Sequence, residues 1–199
     1  MGQALPGRRG GAAAPGDRAP PLGLGRMTSN GHAGAAAPPA EAPLTIPVLA
    51  GSVRADRMAD RALRLAVAAL EARGHRPVVV DPRALGLPLL ERMFKEHLPG
   101  TAPASLQRLA ALYRRADGFL VVSAEYNHGI PPALKNLLDH FLEEYFWRPS
   151  AILTYSSGRF GGVRAGMALR PVLCELGMPS IPSDFAIPMV ATALDEAGA

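Results

Sequence analysis

Cysteine, lysine and aromatic side chains are all scarce in this chain. One cysteine, Cys174, stands among 199 residues, so an intramolecular disulfide is excluded. It lies in Leu173-Cys174-Glu175-Leu176, on a segment read as helical, and is expected to be a buried, inert thiol. Lysine occurs only at Lys95 and Lys135, and no Walker-type phosphate loop with its lysine is present. With aromatics at 6%, no basic patch interleaved with aromatic residues marks a nucleic-acid surface. No apolar run approaches the length of a membrane span, and no charged start followed by an apolar core marks a secretory signal. A cytoplasmic protein without membrane or nucleic-acid partners is the expectation. The five histidines show no metal-ligand spacing, and no Ser/His/acid arrangement is apparent.

What is present divides into two regions. Residues 1–43 are mostly Gly, Ala and Pro, without Val, Ile or aromatics. Such a segment cannot bury enough apolar surface to offset its ordering entropy and is expected to be disordered. Three readings of it stand: a flexible tail, a mis-assigned start with Met27 as the true one, or a targeting segment, against which the scarcity of Ser argues. Residues 44–199 read as one α/β domain. The formal charge of +4 splits evenly between the two regions, so the domain is near neutrality and gives no electrostatic case for a polyanion.

The domain is organised around Gly118 to Asp139. Gly118-Phe119-Leu120-Val121-Val122-Ser123 reads as a buried strand. Ala124-Glu125-Tyr126-Asn127-His128-Gly129 breaks it with turn chemistry, and Pro131-Pro132 suits the first turn of a helix. That helix, read as Ala133 to Trp147, carries Leu134, Leu137, Leu138 and Phe141 at helical spacing and ends in the aromatics Tyr145, Phe146 and Trp147. They read either as a partner surface or as packing under the long, apolar connection Pro82–Pro103. In open α/β sheets ligands bind beyond the carboxyl ends of strands, which places Glu125, Tyr126 and Asn127 at such a position.

Around this centre the chain alternates. Leu44–Ala50 is the first strand, with Pro47 awkward in a central ladder. Gly51-Ser52-Val53-Arg54-Ala55-Asp56-Arg57 leads into a helix over Met58–Arg73. A helix N-terminus offers unpaired N–H groups and a positive dipole end. Ser52 adds a hydroxyl, and Arg54 and Arg57 add charge-assisted donors, so the loop reads as a phosphate site. An ordinary turn with exposed arginines is the plainer alternative. Asp56 is expected to point away from any anion. Arg76–Asp81 is the second strand and Ser105–Ala116 the second helix, with Ser105 capping. Pro149–Tyr155 is the fourth strand, Val163–Glu175 the fourth helix, and Met178–Pro188 holds the fifth strand. Alternation of this kind predicts a parallel sheet with helices on both faces.

Three stretches, in order and each at a strand end, resemble the NAD(P)H-dependent FMN reductase family over about residues 44–190. They are Gly51-Ser52-Val53-Arg54, then Glu125-Tyr126-Asn127 with Pro131-Pro132-Ala133-Leu134-Lys135-Asn136 and Asp139, then Tyr155-Ser156-Ser157-Gly158-Arg159-Phe160-Gly161-Gly162. The resemblance implies a flavodoxin-like three-layer sandwich with strand order 2-1-3-4-5. A last helix beside the first strand looks reduced or missing here, since Val190–Ala199 is short for it. It also implies FMN as cofactor, NADPH or NADH as hydride donor, and a quinone-like small molecule as acceptor. Flavin, azo-dye and chromate reduction are the alternatives within that chemistry, and a slow flavin-binding redox sensor or a non-flavin scaffold those outside it. The cofactor-binding residues so implied are Ser52, Arg54, Arg57, Met58, Ala124, Glu125, Tyr126, Asn127, Ser157, Gly158 and Gly161. Gly158 to Gly162 would let backbone approach a planar ring. The flavin itself carries the hydride chemistry, so no catalytic side chain is needed. His128 is a candidate acceptor contact, a surface turn residue being the plainer reading. The family departs at Ala124, where it usually has Pro, and the loop lacks the Thr-rich phosphate sequence of true flavodoxins. A homodimer or tetramer is implied through the 133–147 region.

Overall fold

A computed structural model describes residues 42–199 of the chain. All but the last two residues of the Gly/Ala/Pro-rich segment, and the disorder expected of it, lie outside the described residues. The apolar runs become strands β1 (Thr45–Ala50), β2 (Arg76–Val80), β3 (Phe119–Ala124), β4 (Ser150–Tyr155) and β5 (Ser180–Ile187). Between and after them come helices α1 (Ala59–Glu71), α2 (Pro82–Leu85), α3 (Ala104–Arg114), α4 (Pro132–Asp139), α5 (Val163–Glu175) and α6 (Val190–Ala193). All strand pairs are parallel, in the order β2-β1-β3-β4-β5. This is the doubly wound arrangement implied by the resemblance, and the last helix is a single turn.

Pro47 is accommodated by alternation along β1. The Thr45 carbonyl accepts from Asp117 N, and Gly51 N donates to the Val122 carbonyl, so odd-numbered residues of β1 face β3. Registered pairing with β3 begins only at Val48–Leu120. The N–H that Pro47 lacks would face β3 just ahead of this registered pairing.

One face of the sheet is covered by α3, α4 and α5. Leu106, Leu109 and Tyr113, then Leu134, Leu137 and Leu138, then Leu169 and Leu173 pack on Leu49, Val121 and Ile152. At its centre the Tyr113 ring lies 5.0–5.3 Å from those of Phe119, Phe141 and Tyr145. The opposite face is covered by α1 and the segment 190–199. Arg61 donates to the carbonyls of Ala191 and Leu194, and Arg64 donates to that of Glu196.

Three expectations are corrected here. The helix expected to run to Trp147 ends at Asp139. The His140 carbonyl accepts from Phe94 N at 2.7 Å instead of continuing the helical ladder. The chain then turns so that both Phe141 and Tyr145 enter the aromatic nest. Of the aromatic end only Phe146 and Trp147 stay at the surface, Trp147 90% exposed. Ser105 lies inside α3 rather than capping it, since the N-cap position belongs to Pro103. Cys174 is exposed: Leu169, Leu173 and Leu176 form the inward stripe, and one residue past Leu173 turns about 100° outward. The connection after β2 is part structure and part core lid, since Leu85, Leu87 and Phe94 pack on the core.

Candidate functional site

The carboxyl ends of β1, β3 and β4 open into a cleft of about 340 Å³, within the size range of cofactor sites. Ser52, Arg54, Asp56, Arg57 and Met58 line one side. Ala124, Glu125 and Tyr126 line the second, and Tyr155, Ser156, Ser157, Val190 and Ala191 the third.

The β1–α1 loop is held by what its residues cannot avoid. A Cβ on Gly51 would meet the Val122 carbonyl oxygen at 2.9 Å, so only glycine lets the loop leave β1 this close to β3. Ser52 is buried, and its hydroxyl lies 2.6 Å from that of Tyr126. Arg57 lines the cleft, but its guanidinium is engaged within the protein. It donates to both oxygens of Asp81 at 2.6 and 2.8 Å, to Asp60 at 2.9 Å and to the Ser52 carbonyl at 2.6 Å. Asp81 also caps α2 through Arg83 N. Hydrogen bonding to Asp81 raises the Arg57 pKa further above its ordinary value, and the same bonds hold the Asp81 carboxyl below its own. Arg57 is thus a clamp between the ends of β1 and β2, with its donors taken within the protein. The Arg54 side chain is exposed and has no ion pair among the described residues. Asp56, expected to turn away and pair, lines the cleft without an ion pair among the described residues.

After β3, Tyr126 and Gly129 exchange both backbone hydrogen bonds, at 3.1 and 2.9 Å. Between them Asn127 and His128 have φ of 49° and 66°, the left-handed pair of a type I′ turn. Asn127 tolerates this conformation better than most residues. Glu125 turns its carboxylate away from the turn to accept from Arg164 N at 3.0 Å at the start of α5, where the helix dipole favours a negative charge. Asn127 lines a shallower pocket beside the cleft with Arg54, Glu125 and Tyr126. His128 is exposed at the tip of the turn and lines neither.

After β4, Ser156 and Ser157 line the cleft, whereas Gly158 and Gly161 do not. Of these two, Gly161 answers to the protein's own backbone, whereas a Cβ on Gly158 would meet only Ser156 Oγ, at 4.0 Å. Gly161 has φ of +63°, and a Cβ there would meet Pro188 N at 3.0 Å. Tyr155 is 4% exposed, and its hydroxyl is buried near that of Ser52. Tyr155, Ser156, Val190 and Ala191 were not foreseen from sequence as lining residues. Strand parity would have found Tyr155, which shares the α1 face with Val122, Ala124 and Leu153. Val190 and Ala191 carry no local signal, because only the return of the chain past β5 brings them to the cleft.

The donor set suits a ligand with an anionic end. The N–H groups at the start of α1, Arg54 and the Ser52 hydroxyl could hold a phosphate and an attached polyol. Tyr126 and the backbone of the type I′ turn could border a planar ring.

Residues 44–192 match the family described as NADPH-dependent FMN reductase. A 2-hydroxy-1,4-benzoquinone reductase from a Burkholderia species is 35% identical over 138 residues, covering 67% of this chain and 72% of that protein. A quinone reductase of Pseudomonas putida is 33% identical over 108 residues, 49% of this chain and 58% of that protein. For the quinone reductase of Escherichia coli the identity is 37% over 78 residues, 37% of this chain and 42% of that protein. The chain thus spans about half the length of these two quinone reductases. Among solved structures, a flavoenzyme NAD(P)H:(acceptor) oxidoreductase from Paracoccus denitrificans superposes with a TM-score of 0.60 at 24% identity, over 71% of this chain and 78% of the other. An NAD(P)H:quinone oxidoreductase from Methanothermobacter marburgensis does so with 0.58 at 16%, over 79% and 96%. At such identities the likeness is one of fold. The chain belongs to the NADPH-dependent FMN reductase family, an oxidoreductase family whose cofactors are FMN and NAD(P)H.

Proposed function

We propose that this member of the NADPH-dependent FMN reductase family binds FMN in the cleft at the ends of β1, β3 and β4, oxidises NAD(P)H and reduces a quinone. The observation that carries the reading is the electrostatic arrangement at the start of α1. Asp60 and Asp81 are both tied to Arg57, which leaves Arg54 beside a helix N-terminus with its charge available to a phosphate. Bound there, FMN would supply the redox chemistry, hydride transfer from NAD(P)H and two-electron reduction of the acceptor. The chain binds and orients. Arg54, Ser52 and the first-turn amides of α1 hold the anionic end. Tyr126 and the Asn127–His128 turn set the ring edge, with Glu125 keeping its carboxylate in α5. His128, exposed beyond the ring edge, is proposed as the contact for the acceptor, to whose oxygen it would deliver a proton. Support for quinones comes from the names of the relatives.

The test is the visible spectrum of the purified full chain with added FMN, before and after NADPH without oxygen. Bound-flavin absorbance that bleaches and returns on adding a benzoquinone is the expected result. A chain that neither retains FMN nor consumes NADPH sinks the reading. Arg54→Ala should weaken FMN binding about tenfold, the effect of one lost charge-assisted hydrogen bond. Its melting temperature should stay within about 2 °C, because the side chain is exposed and unpaired. Assembly into two or four copies is also proposed. It is supported by surface Trp147, Met167 and Phe185 at 90, 71 and 57% exposure and is read by light scattering.

A further inference from the structure

Most arginines around the cleft are engaged inside the protein. Arg57 is held by Asp60, Asp81 and the Ser52 carbonyl. Arg61 donates to the carbonyls of Ala191 and Leu194, and Arg83 donates to that of Ala55 at 3.2 Å. Arg54 is free, and the reading above gives it to the flavin phosphate. Arg159 is also free: it is exposed and has no ion pair among the described residues. Its guanidinium lies 4.9 Å from the centre of the Phe160 ring. That of Arg164 lies 4.7 Å from the same ring and reaches Glu125 only loosely, at 3.5 Å. The three side chains stand at the rim of the cleft. Ser156 and Ser157 line it, and Arg159 follows two residues on. Glu125, which accepts from Arg164 N at 3.0 Å, lines both the cleft and the shallow pocket of about 400 Å³ beside it.

A dinucleotide that reduces a flavin in the cleft has to lie along an open side of it, and the shallow pocket beside Glu125 is such a side. NADPH and NADH differ by one phosphate monoester on the adenosine ribose. A phosphate monoester carries about −1.5 to −2 charges at neutral pH, more than either phosphate of the shared pyrophosphate. A guanidinium suits it: its planar fork pairs with phosphate oxygens, and its face stacks on aromatic rings. Contact with Phe160 also holds the guanidinium in place before the ligand arrives, so less side-chain freedom is lost on binding. The nearest carboxylate, Glu125, is committed to the amides of Arg164 and Ala165. We propose that Arg159, with Arg164 on the same Phe160 ring, receives the ribose phosphate of NADPH and makes the protein select NADPH over NADH. This rests on the flavin reading above and adds to it the residue that distinguishes the two dinucleotides.

The test uses the full chain loaded with FMN, so that the phosphate site at α1 is filled and the dinucleotide cannot enter it. Titration calorimetry with NADP+ and NAD+ should show NADP+ bound about tenfold more tightly, the effect of one charge-assisted contact. Arg159→Ala should weaken NADP+ about tenfold and leave NAD+ within twofold. The preference of the wild type should also shrink as salt is added, because the contact is an exposed charge pair. Wild-type protein that binds the two dinucleotides equally overturns the proposal, as does unchanged NADP+ affinity in Arg159→Ala. An equal loss for NADP+ and NAD+ overturns it too, by placing Arg159 at the shared pyrophosphate. A preference indifferent to salt does the same, since the ribose phosphate is then not met by charge. Protein that takes up no FMN removes the flavin reading, and this proposal with it, before any dinucleotide is added.

Discussion

The two faces of the sheet are held together by different forces. Under α3, α4 and α5 lie large apolar side chains, among them Tyr113, Phe119, Phe141 and Tyr145, all 2% exposed or less. Under α1 small side chains, Val48, Ala50, Ala59, Ala62 and Ala66, mix with larger ones such as Leu63, Leu153 and Ile187, and the elements are also tied by arginines. Arg57 joins the ends of β1 and β2, while Arg61 and Arg64 hold the segment 190–199 to α1. Apolar packing is indifferent to pH and specifies rigidity; ion pairs and side-chain-to-carbonyl bonds are directional, and the carboxylates of the ion pairs titrate. The cleft opens on the second face. The molecule places its adaptable, polar construction where a charged ligand has to be met, and its ring-filled core where nothing has to move.

The largest effect should come from breaking the first face. Phe141 is fully buried between Phe94, Tyr113 and Tyr145. Phe141→Ala is expected to lose about 3–5 kcal/mol of stability through lost transfer energy and a cavity, measured by urea denaturation. The folded fraction should bind FMN as the wild type does, because the nest lies across the sheet from the cleft. A loss under about 1 kcal/mol would mean that the nest is not close-packed and would blur the distinction between the faces.

The second face should break with acid. Hydrogen bonds from Arg57 hold the Asp81 carboxyl below its ordinary value of 3.8. A folded-state pKa below the unfolded one gives stability that is fully present above about pH 4 and is lost as the pH falls through the depressed value. Asp81→Asn removes that dependence. At pH 7 it is expected to be less stable by about 2–3 kcal/mol, between the values for exposed and buried pairs, since Asp60 still faces Arg57. Below about pH 4 the two proteins should converge. Parallel stability curves from pH 7 to pH 2.5 would show that the clamp does not contribute.

How much of this was legible in the sequence follows the same division. The strands and the turn after β1 could be read because they rest on local patterns, β-branched runs, a Gly-Ser turn before a helix, and Pro131-Pro132, whereas the strand order was implied by the resemblance to the family. The assignment of Arg57 could not be read locally. Its main partner, Asp81, is 24 residues away, and a sequence shows that an arginine is near a loop but not that its donors are already taken. The end of α4 was misjudged for a related reason. Phe141 and Tyr145 continue a helical period, but the helix ends at Asp139, where the His140 carbonyl accepts from Phe94 N, a tertiary bond that the period does not encode. Gly161 was read for a ring when its close neighbour is Pro188, a contact between chain segments that spacing does not encode.

The smallest effect is expected where the second face is least covered. Between α1 and β5 lies an apolar groove of about 480 Å³, lined by Leu65, Leu70, Leu120, Leu153, Ile181 and Phe185. Parallel sheets are ordinarily covered on both faces, yet here Phe185 remains 57% exposed. Phe185→Thr keeps a strand-favouring residue and removes a ring that the described residues only partly enclose. Its stability in dilute protein should change by less than about 1 kcal/mol, several-fold less than Phe141→Ala. If the change instead matches that of Phe141→Ala, the ring is covered in solution. Repeating the denaturation over a hundredfold range of protein concentration then identifies the cover. A midpoint that rises with concentration for the wild type, but not for Phe185→Thr, means a second copy sits on the groove. A midpoint independent of concentration means that the cover is part of the same chain, and the second face is then as well packed as the first.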